Sequence, residues 1–194
     1  MSVAAVVLAA GRGTRFGAAP KLLATIGGKS LVRRVTEAAL ASEASPVVVV
    51  TGHAAAEVEA ALSGMPVMLT RNASYVDGLS TSLKAAFGAL PSEAEAAIVL
   101  LGDMPLVEGT LIDRLLRAWY DNGRPAALVP TFEGRRGNPV VLSRVLASDI
   151  ASLAGDSGAG PLLRDRSDVI EWPVADPAVH QDVDTQQALD VLRR

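Results

Sequence analysis

The chain has 194 residues, 49% of them hydrophobic and 20% charged, with a net charge of −3 and no cysteine. That length predicts one domain with a substantial core, and the composition excludes a disordered chain. Without cysteine there is neither a disulfide framework nor a thiolate metal site, the weak acidity leaves no footprint for nucleic acid, and no run approaches the roughly 18 apolar residues of a membrane span, so a cytoplasmic enzyme is expected.

The first apolar run, Val3 to Leu8, reads as a buried strand. No basic residue precedes it and it stops at Gly11-Arg12 after about eight apolar residues, so it is not read as a signal peptide. It empties into a loop, Ala9-Ala10-Gly11-Arg12-Gly13-Thr14-Arg15-Phe16-Gly17, which leads to Lys21. Its glycines let successive N–H groups converge on one anion, and Arg12, Arg15 and Lys21 add positive charge, the makings of a polyphosphate cradle. A dinucleotide fingerprint would need a glycine where Phe16 stands, and no Gly-Lys-Ser/Thr closes the loop as a Walker motif would.

Ser30 precedes an amphipathic helix with Leu31, Val32, Val35 and Ala39 on one face. Val47 to Val50 is a strand buried on both faces, followed by an alanine-rich helix to about Leu62 and a short strand, Val67 to Thr70. The stretch Asn72 to Leu83 runs into a helix to about Leu90, and its hydroxyls suit either capping or ligand contact. Ala96 to Leu101 is a buried strand ending in Gly102-Asp103-Met104-Pro105, where Asp103 is either a turn former or a carboxylate at the strand end where open α/β sheets bind ligands.

Leu111, Ile112, Leu115, Leu116 and Trp119 make the apolar face of a helix closed by Asn122-Gly123, with Trp119 read as core. A strand from Ala127 to Pro130 precedes the loop Glu133 to Pro139 and the apolar strand Val140 to Leu142. Arg135 and Arg136 there suit a solvated hairpin or an anion site. The glycines of 153–160 permit close approach to a substrate or simple flexibility. A last strand, Asp168 to Pro173, precedes Asp182-Val183-Asp184-Thr185, where Asp184 and Gln187 have the spacing of a capping box. His53 and His180 are isolated and read as structural. The alternation of strands and helices through about residue 130 predicts a three-layer α/β/α, Rossmann-like domain over 1–194, its sheet mostly parallel. Within it, 1–130 holds the alternating units, 131–175 is a smaller lobe over the site and 176–194 is a C-terminal segment.

Several of these stretches carry a resemblance. Leu8-Ala9-Ala10-Gly11, Arg15-Phe16-Gly17 and Lys21 resemble the signature of nucleotidyltransferases of the nucleotide-diphospho-sugar transferase type. They are most similar to the molybdenum cofactor cytidylyltransferase family, relatives of the molybdopterin guanylyltransferases. The resemblance implies nucleotide contacts from Leu8, Ala9, Ala10, Gly11, Arg12, Gly13 and Lys21, and, where Asn-x-x-Tyr-x-x-Gly-x-Ser-x-Ser-Leu borders the base, from Asn72, Gly78, Ser80 and Ser82. Gly-Asp-Met-Pro resembles the motif whose Asp, here Asp103, holds Mg²⁺ against the α-phosphate; Asp-x-Asp-Thr implies a second carboxylate, with Asp184 the better candidate. Arg135-Arg136-Gly137-Asn138-Pro139 is similar to the element beside the second substrate, which implies acceptor contacts from Arg136, Gly137, Asn138, Pro139 and Asp156.

Arg15, Lys21 and Asp103 are then the catalytic set, and the implied reaction takes CTP and molybdenum-bearing molybdopterin to the cytosine dinucleotide cofactor and pyrophosphate, for delivery to a molybdoenzyme. A phosphate acceptor is anionic at neutral pH and needs no general base. The competing readings are a nucleotidyltransferase acting on a sugar or polyol phosphate, a non-catalytic carrier of the cofactor, and a nicotinamide-dependent oxidoreductase. The last is disfavoured because no acidic residue is clearly placed to hold a ribose after a second strand.

Overall fold

Small and β-branched side chains at Ser2–Ala9 form β1, the strand around which the sheet is laid. The computed structural model describes residues 2–17 and 19–193; Met1 and Arg194, the ends of the expected domain, and Ala18 lie outside them. β1 pairs in parallel with β4 (Val47–Thr51) on one side and with β6 (Ala94–Leu101) on the other, and β5 (Met68–Arg71) extends the parallel set beyond β4.

Past β6 the pattern changes. β7 (Ala127–Phe132), β8 (Arg135–Arg136), β9 (Val140–Ser143) and β10 (Val169–Pro173) complete the sheet in the order β10-β7-β9-β6-β1-β4-β5, with β8 pairing β7. β9 is antiparallel to both β6 and β7. The segment 131–175 therefore does not stand apart as a lobe: β9 lies inside the main sheet and β10 forms its edge, while the loops between them overhang the strand ends. A separate hairpin, β2 (Thr25–Ile26) with β3 (Lys29–Ser30), follows Lys21 and was not anticipated.

Alternation along β1 distributes its side chains to two cores. Val3, Ala5, Val7 and Ala9 face α1 (Leu31–Leu40), α2 (Ala55–Ala61) and α4 (Gly109–Asp121), whose Val35, Val58, Ile112 and Trp119 are buried there. Ala4, Val6, Leu8 and Ala10 face α3 (Leu79–Ala89) and α5 (Ala147–Ser152) through Leu83, Phe87 and Ile150. The expected three layers are thus present, and Trp119 is core, 1% exposed, with its indole N–H donated to Pro125 O at 2.9 Å. A third cluster of Phe16, Leu31, Val183 and Leu189 docks α6 (Gln186–Leu192) beside the first loop.

At the parallel edge, Arg71 on β5 donates two hydrogen bonds to Glu59 on α2, at 2.7 and 2.6 Å, while the Thr51 hydroxyl donates a third at 2.9 Å. The Arg71 bonds outweigh the cost of desolvation, and Thr51 adds to them, so the Glu59 carboxyl is held below its ordinary 4.5. A depressed carboxylate stabilises the fold above its unfolded value and loses that contribution as pH falls through the folded one. Glu59→Gln is expected to melt below the parent at pH 7 and to converge on it as the pH is taken well below 4.5. Paired thermal melts across that range check it, and a gap that persists in acid contradicts the ion-pair account.

Candidate active site

The carboxyl ends of β1 and β6 open into a cavity of about 520 Å³, the position at which open α/β sheets bind ligands. The two strand ends are held together by Gly102 N–H donating to Leu8 O at 3.0 Å. After β1 the chain passes through Gly13, at φ 58, into a 3₁₀ turn at Thr14–Phe16, and Phe16 drops into the third core cluster. A Cβ on Gly13 would lie 2.7 Å from Lys21 Cβ, so a bare backbone here lets the loop fold over the Lys21 side chain. Gly11, by contrast, has open space around it and ordinary backbone.

Burying Phe16 places Arg15 beside the C-terminal segment. Val183 is fully buried against Phe16, and its N–H donates to Asp103 O at 2.9 Å. That backbone bond brings the carboxylates flanking Val183 to the end of β6. Asp103, Asp182 and Asp184 consequently offer oxygens within 4.8 Å of one another. The Lys21 ammonium, its side chain 10% exposed, donates to both Asp103 and Asp184, the latter at 3.0 Å, and Arg15 pairs with the other Asp184 oxygen at 2.7 Å.

Burial alone would lower the Lys21 ammonium, but Asp103 and then Asp184 outweigh it and hold it above its ordinary value. Burial likewise opposes charge on Asp184, whose carboxyl is nevertheless kept low by Lys21 and Arg15. Asp182 is pushed up, by burial first and then by the neighbouring Asp184 and Asp103. The residues fit a divalent cation: the donors are all carboxylate oxygens, the hard ligands Mg²⁺ takes, and Asp103 Oδ1 is buried without a hydrogen-bond partner.

The capping-box reading of Asp184 is corrected. Thr185 caps α6, its hydroxyl accepting from Ala188 N–H at 3.2 Å, and this leaves Asp184 one residue earlier to face Lys21. The hydroxyls of Ser80, Thr81 and Ser82 lie inside α3 and do not cap it: its N-cap is Gly78, and Ser80 N–H is taken by Gly155 O at 3.2 Å.

Of the residues expected at the nucleotide, Leu8, Ala10, Gly11, Arg12, Gly13, Arg15 and Lys21 line this cavity from β1 and its loop. Gly78 and Ser82 line it from the start of α3, and Asp103 and Asp184 close it. Ala9, Asn72 and Ser80 are absent from the lining: the Ala9 side chain belongs to the opposite core, and Ser80 is buried with its hydroxyl unpartnered. Asp156, expected at the acceptor, lines the first cavity instead. Asp182, Tyr75 and Leu79 also line it and were not singled out, although Asp182 stands in the very motif that pointed to Asp184.

A second cavity of about 280 Å³ adjoins the first and shares Leu8, Leu79 and Leu101 with it. Arg136, Gly137 and Asn138 line it; Pro139 does not. Arg136 is tied back to Glu171 at 2.8 Å and to Leu163 O at 3.2 Å, and the remaining wall is apolar, with Val99, Val129 and Leu142. The loop 153–160 runs across the junction. At Gly78, φ 108, a Cβ would meet the Gly155 backbone at 2.3 Å, so the loop crosses directly over the start of α3.

The MobA-like NTP transferase domain matches residues 5–169. The chain belongs to this family. Among curated proteins, this family member is 30% identical over 193 residues to a nicotine blue oxidoreductase of Paenarthrobacter nicotinovorans, spanning 96% of this chain and 94% of the relative. It is 36% identical over 118 residues to the bifunctional protein GlmU of Chromobacterium violaceum, covering 60% of this chain and only 26% of that protein. Among solved structures, a nucleotidyl transferase from Methanothermobacter superposes with a TM-score of 0.85 at 26% identity, covering 99% of this chain and 96% of that one. Rv0371c of Mycobacterium tuberculosis, solved in complex with manganese, superposes at 0.82 with 25% identity, covering 99% and 98%. The molybdopterin-guanine dinucleotide biosynthesis protein A of Archaeoglobus fulgidus, at 20% identity and a TM-score of 0.76, shares the fold.

Gly13→Ala tests the construction of the site. A non-glycine residue held at that positive φ costs about 1–3 kcal/mol, and here the added methyl also meets Lys21. The variant is expected to melt roughly 2–10 °C below the parent. An unchanged melting temperature contradicts the close approach of the loop to Lys21.

Proposed function

We propose that this nucleotidyltransferase-family chain transfers CMP from CTP to the phosphate of molybdenum-bearing molybdopterin and releases pyrophosphate. The observation that carries the reading is the meeting of a cationic loop and three carboxylates in one cavity, which adjoins a second, mostly apolar cavity. The loop N–H groups, Arg12, Arg15 and Lys21 receive the triphosphate. An acceptor seated in the second cavity directs its phosphate oxygen at the α-phosphorus across the shared wall of Leu8, Leu79 and Leu101. A new oxygen–phosphorus bond forms there as the bond to the β-phosphate oxygen breaks, and the electron pair leaves with pyrophosphate. The acceptor is already an anion, so the demand on the protein is alignment and neutralisation of charge. Asp103 and Asp184 would hold Mg²⁺, which supplies charge neutralisation at the phosphates when bound.

A sugar or polyol phosphate is the alternative acceptor for the second cavity, where Arg136 is the cation on the wall. The full-length likeness to nicotine blue oxidoreductase favours a second class, an oxidoreductase, and a nicotinamide-dependent one is the competing reading. Against it, β4 runs on into Gly52-His53, and the carboxylate beside its end, Glu59, is already taken by Arg71 and Thr51.

Pyrophosphate release measured over a panel of nucleotides and phosphorylated acceptors, beside oxidation of nicotinamide cofactors, decides among these. Asp103→Asn is expected to abolish pyrophosphate release, a loss of roughly a hundredfold or more, while the melting temperature stays near that of the parent. Near-normal turnover by that variant removes the metal assignment.

Selection of the base rests on Ala10, whose side chain is buried and lines the first cavity. The guanylyltransferases resemble this loop with a glycine in place of an alanine. A methyl that narrows a packed wall can cost a larger base about 1–3 kcal/mol, or roughly 5- to 150-fold. CTP is expected to bind more tightly than GTP in the presence of Mg²⁺, and Ala10→Gly to gain GTP affinity. Calorimetric titration of both nucleotides reads this, and a variant with no gain moves the selector elsewhere.

A further inference from the structure

Asn72 was expected at the nucleotide, yet it is buried, it does not line the first cavity, and both of its amide hydrogens are spent inside the protein. Its Oδ1 accepts from Ser74 N–H at 3.0 Å, which fixes the orientation of the amide, since a backbone N–H can face only the oxygen. Nδ2 therefore faces the other way and donates both of its hydrogens, to Thr81 Oγ1 at 2.8 Å and to Ser82 Oγ at 3.0 Å.

Thr81 and Ser82 use those bonds differently. The Thr81 hydroxyl is directed at Gly78 O, 2.8 Å away, and Ser74 O, 3.0 Å away, and is spent within the loop. Ser82 is 4% exposed, lines the first cavity, and accepts from Asn72. Among the described residues no acceptor receives its proton. With Asn72 on its lone pair, the Ser82 hydroxyl reaches the cavity as a donor.

We propose that Asn72 is a positioning residue that holds Ser82 as a hydrogen-bond donor to the base of a nucleotide in the first cavity, an inference that rests on the nucleotidyl-transfer reading. The base must then present an acceptor, a carbonyl oxygen or a ring-nitrogen lone pair, and cytosine carries these two side by side. Asn72 contributes to recognition without touching the ligand.

Asn72→Asp isolates this role. The carboxylate keeps the oxygen that Ser74 needs and replaces the amide donor with a second oxygen, which takes the Ser82 proton out of the cavity. A double-mutant cycle of Asn72→Asp and Ser82→Ala, titrated with CTP and Mg²⁺, tests it. Ser82→Ala and Asn72→Asp are each expected to weaken CTP binding by about 2- to 10-fold, the range of one neutral hydrogen bond. Asn72→Asp is expected to cost much less when Ser82→Ala is already in place, because the donor it withdraws is then gone. A cost from the added charge or from a loosened turn would be the same in both backgrounds, and that result overturns the proposal. So does a Ser82→Ala variant that binds CTP as the parent does, an outcome that leaves the nucleotide reading standing. Absence of CTP binding by the folded parent defeats that reading and this one together. Should the aspartate variant melt early, Asn72→Ser, uncharged and too short to reach Ser82, runs the same cycle.

Discussion

One backbone hydrogen bond, from Val183 N–H to Asp103 O, joins the end of a central strand to a segment that is eighty residues later in the chain. The cluster of Asp103, Asp182 and Asp184 follows from it. Val183 is buried with Phe16, so the residues on either side of it must point outward, and in this sequence both are aspartates. The same apolar contact seats the first loop, so the cations and the anions of the site are located by a single small cluster. Hydrophobic burial and a main-chain bond, both indifferent to charge, set the geometry in which the charges then act.

The charges in turn satisfy one another. Lys21 bridges Asp103 and Asp184, Arg15 covers the remaining oxygen of Asp184, and Asp182 answers its neighbours with a raised carboxyl. Two cations among three carboxylates leave the cluster close to neutral, which is how a group of acids can sit together at the end of a buried strand. A ligand that brings both signs of charge at once can exchange partners with such a cluster without leaving any group uncompensated.

Much of the fold was legible because periodicity is local. Val47 to Val50 and Ala96 to Leu101 read directly as buried strands, and α1 and α4 carry clean apolar faces. What was not legible depends on long-range pairing. Nothing in Val140 to Leu142 announces that β9 inserts antiparallel between β6 and β7, because a short apolar run looks the same in either direction. The site divides along the same line. Gly11, Lys21 and Asp103 stand at motif positions with a mechanism attached, whereas Asp182 and Tyr75 stand in motifs too but only the fold shows that they line the cavity. Asp184 and Thr185 illustrate the ambiguity: either could cap a helix on spacing alone, and the choice was made by Lys21, far away in sequence.

The contact between Gly78 and the Gly155 backbone has a bearing on how such a chain can change over time. The loop that overhangs the second cavity is also the partner of the first turn of α3, which lines the first. An insertion or deletion in 153–160 that reshaped the second cavity would therefore shift the backbone beside the first as well. The two cavities are yoked, and the second is more readily reshaped by exchanging side chains on its apolar wall than by altering the length of the loop.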